Sequence, residues 1–482
     1  MRPMTTHSQL GTGTLALGRV FVVHEAGSWK TPGHASGCEK DGAAVSSTVA
    51  AAWRWRREIK CLACLCICLV LWIYALTEAL GRCARSMQRQ MAPTPDRMLR
   101  FTKNGTFQIS VFEDLHFAEN SDKDVLSQRV MKSVLSTESP QLVVINGDLV
   151  SGEQTSSSNS YTYLHQVVSP LVDRGLLWAS TYGNHDSNPN LDPWQDIFVQ
   201  EKQYTNSLTQ SMVSHPDAGV TNYYLPVYSS ETEVPALILW FFDSKGGRVP
   251  SNRISKRDTN RPDWVDQSVV DWFNETNSDL RDKYGRVVPS LAFYHIPADA
   301  MRAYQDDGVN PHTAPGINGE TVVQQGSGDT SYTGQDTEFM RALLNTAGLM
   351  ATFSGHDHDN DWCFKWDGNT TAQNLSGNGL NMCYGRHTGY GGYGDASRGG
   401  RQIVLNEKTV QDEVETWILL EDGTISAHVT LNATYGQDRY SPGIKRAAGV
   451  LDSAAPHLNS PEPLLFMTYL WFPIFMLFYL KH

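Results

Sequence analysis

The sequence predicts an α/β fold, and three observations predict it. Short apolar runs rich in Val, Ile, Leu, Phe and Tyr recur at residues 107–112, 142–145, 176–182, 236–242, 290–294, 349–353 and 416–420. Several are wholly apolar, which marks strands buried on both faces. Between them lie segments such as 122–136 and 337–347, with apolar residues three or four apart, and strand–helix alternation of this kind builds a sheet covered by helices. Finally, five polar clusters punctuate the chain in one order: Asp114-Leu-His116, Gly147-Asp148, Gly183-Asn184-His185-Asp186, His295 and Gly355-His356-Asp357-His358. Four of the five follow directly on an apolar run, so their side chains should gather at strand ends along one rim of a sheet.

The elements follow in chain order. Residues 1–52 are rich in Gly, Ser, Thr and Ala without a sustained apolar period, and read as a disordered tail. Residues 53–83 hold an uncharged apolar run preceded by Arg54, Arg56, Arg57 and Lys60. Basic residues on that side favour a cytosolic N-terminus and a signal anchor. The alternative is a cleaved signal, with Ala79-Leu-Gly81 as the cleavage site and a secreted product. A basic linker spans 84–104, the α/β domain 105–435 and a second linker 436–463. The apolar tail 464–482 contains Pro473 and many aromatics. It reads first as a membrane-spanning tail, and otherwise as a GPI-attachment signal or a helix packed on the domain. Residues 305–335 and 385–394 are Gly-rich and aperiodic, and predict long loops of the kind found beside sites.

Bulk composition narrows the function. The chain has 482 residues, a formal net charge of −12 and 40% hydrophobic residues, enough for a sizeable core. An acidic surface disfavours nucleic acid as a partner, since phosphate backbones are bound by clustered Lys and Arg. Small phosphorylated substrates stay open, because bound cations reverse the local field. Cys61, Cys64, Cys66 and Cys68 lie inside the first apolar run, where they read as lipid-facing or palmitoylated rather than as a zinc site. Cys363 and Cys383 are disulfide candidates if the domain is lumenal. Five glycosylation sequons, at Asn104, Asn274, Asn369, Asn374 and Asn432, all lie between the two apolar runs and agree with a lumenal or extracellular domain.

The clusters have the composition of a two-metal hydrolytic site. Two ions roughly 3.5–4 Å apart can activate water, neutralise phosphoryl oxygens and stabilise a leaving group. Such a pair needs mixed oxygen and nitrogen ligands and one bridging carboxylate. Asp148 is the bridging candidate, with Gly147 allowing a tight turn before it. Asp114 and His116 are two residues apart, so at a strand end they can point the same way and share one ion. His356 and His358 repeat that spacing, each able to serve a different ion. Asn184 offers a carbonyl oxygen, and His295 completes the set. Asp186, Asp357, Asp359 and Asp361 are additional carboxylates, readable as solvated turns or as supports of the ligand loops.

These residues and their order resemble the calcineurin-like metallophosphoesterase superfamily, whose pattern is D-x-H, GD, GNH(D/E), H, GHxH; the resemblance covers about residues 105–435. It implies a four-layer αββα sandwich with two mixed sheets, here with flanking apolar helices. It also implies that Asp114, His116, Asp148 and His358 hold one ion, and Asp148, Asn184, His295 and His356 the other. His185 would be the catalytic residue that contacts phosphate and protonates the leaving oxygen. Ile109-Ser-Val-Phe-Glu-Asp-Leu-His116, Gly355-His-Asp-His-Asp-Asn-Asp-Trp-Cys363 and Cys383-Tyr-Gly-Arg-His-Thr-Gly-Tyr-Gly-Gly-Tyr393 look like fungal and plant phosphatases related to purple acid phosphatases. The chain departs from the purple enzymes in having Ser151 at their tyrosine-ligand position, and His116 where they have none. Zn, Mn and Fe, divalent or trivalent, all suit the ligands. Arg386 and His387 are substrate-contact candidates, against the reading of 385–394 as a structural loop.

The expected protein is therefore a membrane-anchored phosphatase with its catalytic domain on the lumenal or outer side of a secretory-pathway membrane. It would cleave phosphate monoesters by in-line attack of a metal-bridging hydroxide. The alternatives are a phosphodiesterase of the same fold and a non-catalytic, membrane-anchored binding module.

Overall fold

Two six-stranded sheets lie face to face in the computed structural model, which describes residues 97–249, 259–328, 332–370 and 374–444. The strands are β1 (Thr106–Phe112), β2 (Leu142–Asn146), β3 (Trp178–Thr181), β4 (Tyr223–Tyr228), β5 (Pro235–Phe241), β6 (Arg248–Val249), β7 (Thr259–Asn260), β8 (Ser290–Phe293), β9 (Leu349–Ser354), β10 (Cys363–Trp366), β11 (Asn369–Thr370), β12 (Leu375–Ser376), β13 (Leu380–Tyr384), β14 (Gly399–Asn406), β15 (Val414–Leu420) and β16 (Ile425–Leu431). The helices are α1 (Ser121–Thr137), α2 (Ser160–Val172), α3 (Gln267–Tyr284), α4 (Asp299–Asp307) and α5 (Thr337–Asn345). The first sheet runs β16-β15-β14-β1-β2-β3, and the second runs β10-β13-β9-β8-β5-β4.

Strand alternation explains the layers. In β2, Leu142 and Val144 join a central core with Leu237, Leu239, Phe241, Leu291, Phe293 and Phe353 of the other sheet. Val143 and Ile145 point the other way, against Met131 and Val134 of α1 and Leu164 and Val168 of α2. In the second sheet Trp240, Ala292 and Tyr294 turn outward to Val269 and Phe273 of α3 and Phe339 and Met340 of α5. Helix, sheet, sheet and helix thus stack as the predicted four-layer αββα sandwich, with the central strands covered on both faces.

Both sheets are mixed. Strands β1, β2 and β3 are parallel neighbours, as are β5, β8, β9 and β13. Their carboxyl ends therefore open on the same side within each sheet, the usual place for a site in parallel sheets. Helix α1 starts at Asn120, whose side chain accepts from the Asp122 and Lys123 amides, so the chain turns out of the site loop into the helix at a defined point.

The structure corrects several expectations. The strand expected over 176–182 is the shorter β3. Strands β4, β10, β13, β14 and β16 were not among the predicted runs. Of these, β4 carries Pro226 and lies at a sheet edge, where a missing N–H is tolerated. The linker expected over 84–104 gives way before its end: Leu99 and Phe101 are buried in the central core, and the Phe101 amide donates to Tyr228 O at 3.0 Å. The second expected linker, from 436, likewise begins later, because Tyr440 packs against the same core.

Cys363 and Cys383 form a disulfide between the antiparallel neighbours β10 and β13. Asn104, Asn274, Asn369 and Asn374 are exposed. No helix among the described residues is long and apolar enough to cross a membrane. The expected tail 1–52, membrane segment 53–83 and apolar tail 464–482 lie outside the described residues.

Candidate metal centre

Five strand ends deliver the clustered side chains. The loop after β1 carries Asp114 and His116, the turn after β2 carries Asp148, and the turn after β3 carries Asn184 and His185. From the second sheet, β8 leads to His295 and β9 to His356 and His358. Two groups of ligand-type atoms form, one from Asp114, His116 and His358, the other from Asp148, His295 and His356. Asp148 reaches toward both, with Oδ2 3.1 Å from His295 Nε2 and 3.6 Å from His116 Nε2. His116 Nε2 and His358 Nε2 lie 3.2 Å apart. A third group joins His185 to His116 and Asp148.

The backbone reaches this arrangement through an uncommon conformation. Asp114, His116, Asp148 and His356 have φ of 53°, 47°, 51° and 79°. Non-glycine residues in the left-handed region cost on the order of 1–3 kcal/mol each and persist where the surroundings fix them. The two-residue spacing of Asp114 and His116 therefore works through these turns, not through the strand alternation expected from sequence. Gly147 precedes Asp148 at φ 95°, and a Cβ there would lie 2.2 Å from His295 Nδ1. Only glycine satisfies both the angle and that approach.

Outer contacts orient the imidazoles. His295 Nδ1 meets Asn146 O at 2.9 Å, and His358 Nδ1 meets Tyr393 O at 3.0 Å. His116 Nδ1 is 3.1 Å from Ser151 Oγ, which donates to Glu119 at 2.8 Å. In each case the other nitrogen is left facing the cluster, as in metal-bound histidines. The Gly-rich loop 385–394 packs against the His116 and His358 rings. Tyr393 stacks on His358 at 4.0 Å, and a Cβ on Gly392 would lie 2.4 Å from His358 Cε1.

Electrostatics separate the roles. Burial pushes the His116, His356 and His358 imidazoles down to about 3, so they are neutral and keep a lone pair for a cation. Burial also lowers His295, but Asp148 and Asp114 outweigh it and raise the group to about 10. Burial raises Asp148, yet His295, His185 and His116 hold it well below the usual carboxylate range. His185 is opposed by burial and raised to about 9 by Asp148 and Glu153.

Buried polar atoms here that make no hydrogen bond include Asn184 Oδ1, both ring nitrogens of His387, and His295 Nε2, which is in an ion pair with Asp148 at 3.1 Å. Buried polar atoms are normally satisfied. Asn184 and His295 belong to the set that the resemblance assigns to one ion, and a cation is a partner that would satisfy the Asn184 amide oxygen. The cluster fits a pair of metal ions.

Other predicted residues fall elsewhere. Arg386 is not available to a substrate: it is fully buried, pairs with Asp361 at 2.5 Å and donates to Ser397 O. His387 is buried as well, with its ring 3.9 Å from that of His358, so it packs behind that ring. Asp186 accepts from the Gly183 and Val150 amides, and Asp361 accepts from the Ile317 amide as well as from Arg386. Asp357 accepts from Tyr384 at 2.5 Å. These carboxylates hold the loops.

Sequence reasoning missed Glu113, Glu119 and Glu153. Glu153 contacts His185 Nδ1 at 3.0 Å, and Glu113 accepts from Asn146 Nδ2 at 3.2 Å. Burial, then the Asp114 charge, pushes Glu113 well above the usual carboxylate range. The one available signal was an acidic residue within five positions of a motif carboxylate or histidine.

The calcineurin-like phosphoesterase family matches residues 111–360, just over half of the chain. An Arabidopsis thaliana protein named "Probable inactive purple acid phosphatase 29" is 28% identical over 370 residues, covering 68% of this chain and 86% of its own length. "Phosphatase DCR2" of Saccharomyces cerevisiae is 28% identical over 348 residues, covering 67% of this chain and 55% of its own. Among solved structures, a dimetal phosphatase from Danio rerio is 12% identical with a TM-score of 0.42, covering 68% of this chain and 98% of its own. A purple acid phosphatase from yellow lupin is 12% identical with a TM-score of 0.40, covering 70% of this chain and 55% of its own.

Proposed function

The chain belongs to the calcineurin-like phosphoesterase family, and from that premise we propose that it is a dinuclear metal-dependent phosphomonoesterase. The observation that carries this reading is the pair of ligand groups linked by one carboxylate, Asp148, beside Asn184 Oδ1, a buried oxygen that makes no hydrogen bond. Asp114, His116, Asp148 and His358 would hold one ion, and Asp148, Asn184, His295 and His356 the other, each Zn, Mn or Fe. When bound, the ions would neutralise phosphoryl oxygens and lower the pKa of a water nucleophile.

The remaining chemistry belongs to side chains. The His185 backbone N–H donates to Asp148 Oδ1 at 2.7 Å, which fixes the residue to the bridging carboxylate. Its ring is half-exposed and held by Glu153 through Nδ1, leaving Nε2 for a substrate oxygen. Glu153 favours the charged form of the ring, and an imidazolium held there can give its proton to a departing alkoxide. His185→Ala is expected to slow an alkyl phosphate by about 10²–10⁴-fold. The loss should be far smaller on p-nitrophenyl phosphate, whose leaving group needs no proton. Equal losses on the two substrates would remove His185 from this role.

Comparing p-nitrophenyl phosphate with bis(p-nitrophenyl) phosphate, with bound metal measured on the same protein, tests the main reading. The phosphomonoesterase reading expects a monoester preference, and a two-ion site expects about two equivalents of metal. A diester preference would instead favour the phosphodiesterase. Bound metal without turnover would favour a binding module, the reading suggested by the "inactive" in the plant relative's name. We also propose that the domain sits on the lumenal or outer side of a secretory membrane. The Cys363–Cys383 disulfide and the four exposed sequon asparagines support that placement.

A further inference from the structure

We propose that Arg248 and Arg261 form a second anion subsite next to the metal cluster, selecting phosphomonoesters whose leaving group carries another anionic group. The inference rests on the phosphomonoesterase reading above. A cleft of ≈ 410 Å³ has Asn184, His356 and Glu153 among its lining residues, together with Arg248, Arg261 and Trp264. A wider groove of ≈ 930 Å³ shares Arg248 and Arg261 with it and runs on past Asn188 and Trp194. The two arginines therefore border both the cleft beside the cluster and the groove that adjoins it.

Their positions are tied to the site loop. Arg248 lies on β6 opposite Asn260 of β7. Its amide donates to Ser187 O at 3.2 Å, and the Arg261 amide donates to Gly247 O at 2.9 Å. Arg261 Nη1 donates to Ser187 Oγ at 2.8 Å, and Ser187 directly follows the Gly183–Asp186 motif. One contact of this kind fixes a guanidinium and leaves further N–H donors of its five for a ligand. Arg248 is exposed.

The acids of the same cleft are engaged elsewhere. Glu153 pairs with His185, and Asp263 accepts from the Gly328 amide at 2.8 Å. In a chain of net charge −12, the two arginines offset the charges of Glu153 and Asp263 in this cleft. Their planar forks suit a phosphate or a carboxylate, bound bidentately.

The test is ligand binding by the metal-loaded full-length protein, which does not depend on turnover. Methylphosphonate is compared by calorimetry with alkane bisphosphonates of graded length, and with phosphonocarboxylates of matching length. At a length that spans the two sites, the second anion should tighten binding by about tenfold, the effect of a modest charge-assisted contact. Whether the bisphosphonate or the phosphonocarboxylate series gains more identifies the second group as phosphate or carboxylate. R248Q and R261Q should lose more affinity for the dianionic ligand than for methylphosphonate, and the double variant should bring the two close to parity. No preference at any length, or an equal loss on both ligands, would overturn the subsite. Hydrolysis of p-nitrophenyl phosphate is measured alongside. Turnover without a bisphosphonate preference rejects the subsite and leaves the phosphatase reading standing. A preference without turnover does the reverse.

Discussion

Asp148→Asn is expected to lower hydrolysis of an aryl phosphate by at least about 10³-fold, the upper end of what losing one transition-state stabilising donor costs. The carboxylate stands between both ligand groups, 3.1 Å from His295 Nε2 and 3.6 Å from His116 Nε2. Burial raises its pKa, but three histidines more than reverse that and keep it ionised. Asparagine has the same shape and can still accept from the His185 amide, so the fold should survive. What it lacks is the negative charge and the second oxygen that two cations can share. Bound metal should fall from about two equivalents to one or fewer, with an unchanged circular dichroism spectrum. Retention of both metal and turnover would show that Asp148 is not the shared ligand.

Glu201→Ala should be the most destabilising of the substitutions considered, although Glu201 touches no substrate. It is fully buried in the helical turn Val199–Glu201. Oε1 accepts from Trp178 Nε1 at 2.8 Å, Ser180 Oγ at 2.9 Å, Ser207 Oγ at 3.1 Å and Thr209 Oγ1 at 2.7 Å. Oε2 accepts from Tyr182 OH at 2.8 Å. Alanine strands these donors without water. At about 1–3 kcal/mol for each buried group left unpaired, and with hydroxyls free to rotate, a total of roughly 3–5 kcal/mol is expected. For a domain of this size that is a fall in Tm of roughly 5–15 °C. Because Trp178, Ser180 and Tyr182 lead straight into Asn184 and His185, activity should decline before global unfolding. Thermal melts with activity at graded temperatures check both. A Tm within about 2 °C of wild type, less than 1 kcal/mol would shift it, would refute the hub.

The sequence exposed those parts of the molecule that local rules govern. Strands β2, β5, β8 and β9 are covered on both faces, so they are continuous apolar runs and legible. The candidate ligands were legible because each polar cluster begins where such a run stops. Strand β4 was not, because Pro226 and its alternating burial reflect a place at the edge of a sheet. Helix α3 hides its period behind only four buried residues, Val269, Val270, Phe273 and Leu280. Arg386 was misjudged for a related reason. An arginine beside a motif looks like a phosphate contact until Asp361, twenty-five positions away, is folded against it. Glu119 and Glu153 act through loops whose paths depend on tertiary packing, and no period encodes that.

The candidate ligands come from the ends of β1, β2 and β3 in one sheet and of β8 and β9 in the other. Ions held across that seam would bind the two halves of the sandwich to each other as well as binding substrate. Each tenfold rise in free metal above the dissociation constant would add about 1.4 kcal/mol per site to the folded state. Metal scarcity would then act on the quantity of the protein as well as on its rate, since a few kcal/mol of lost stability is enough to send a chain to proteolysis.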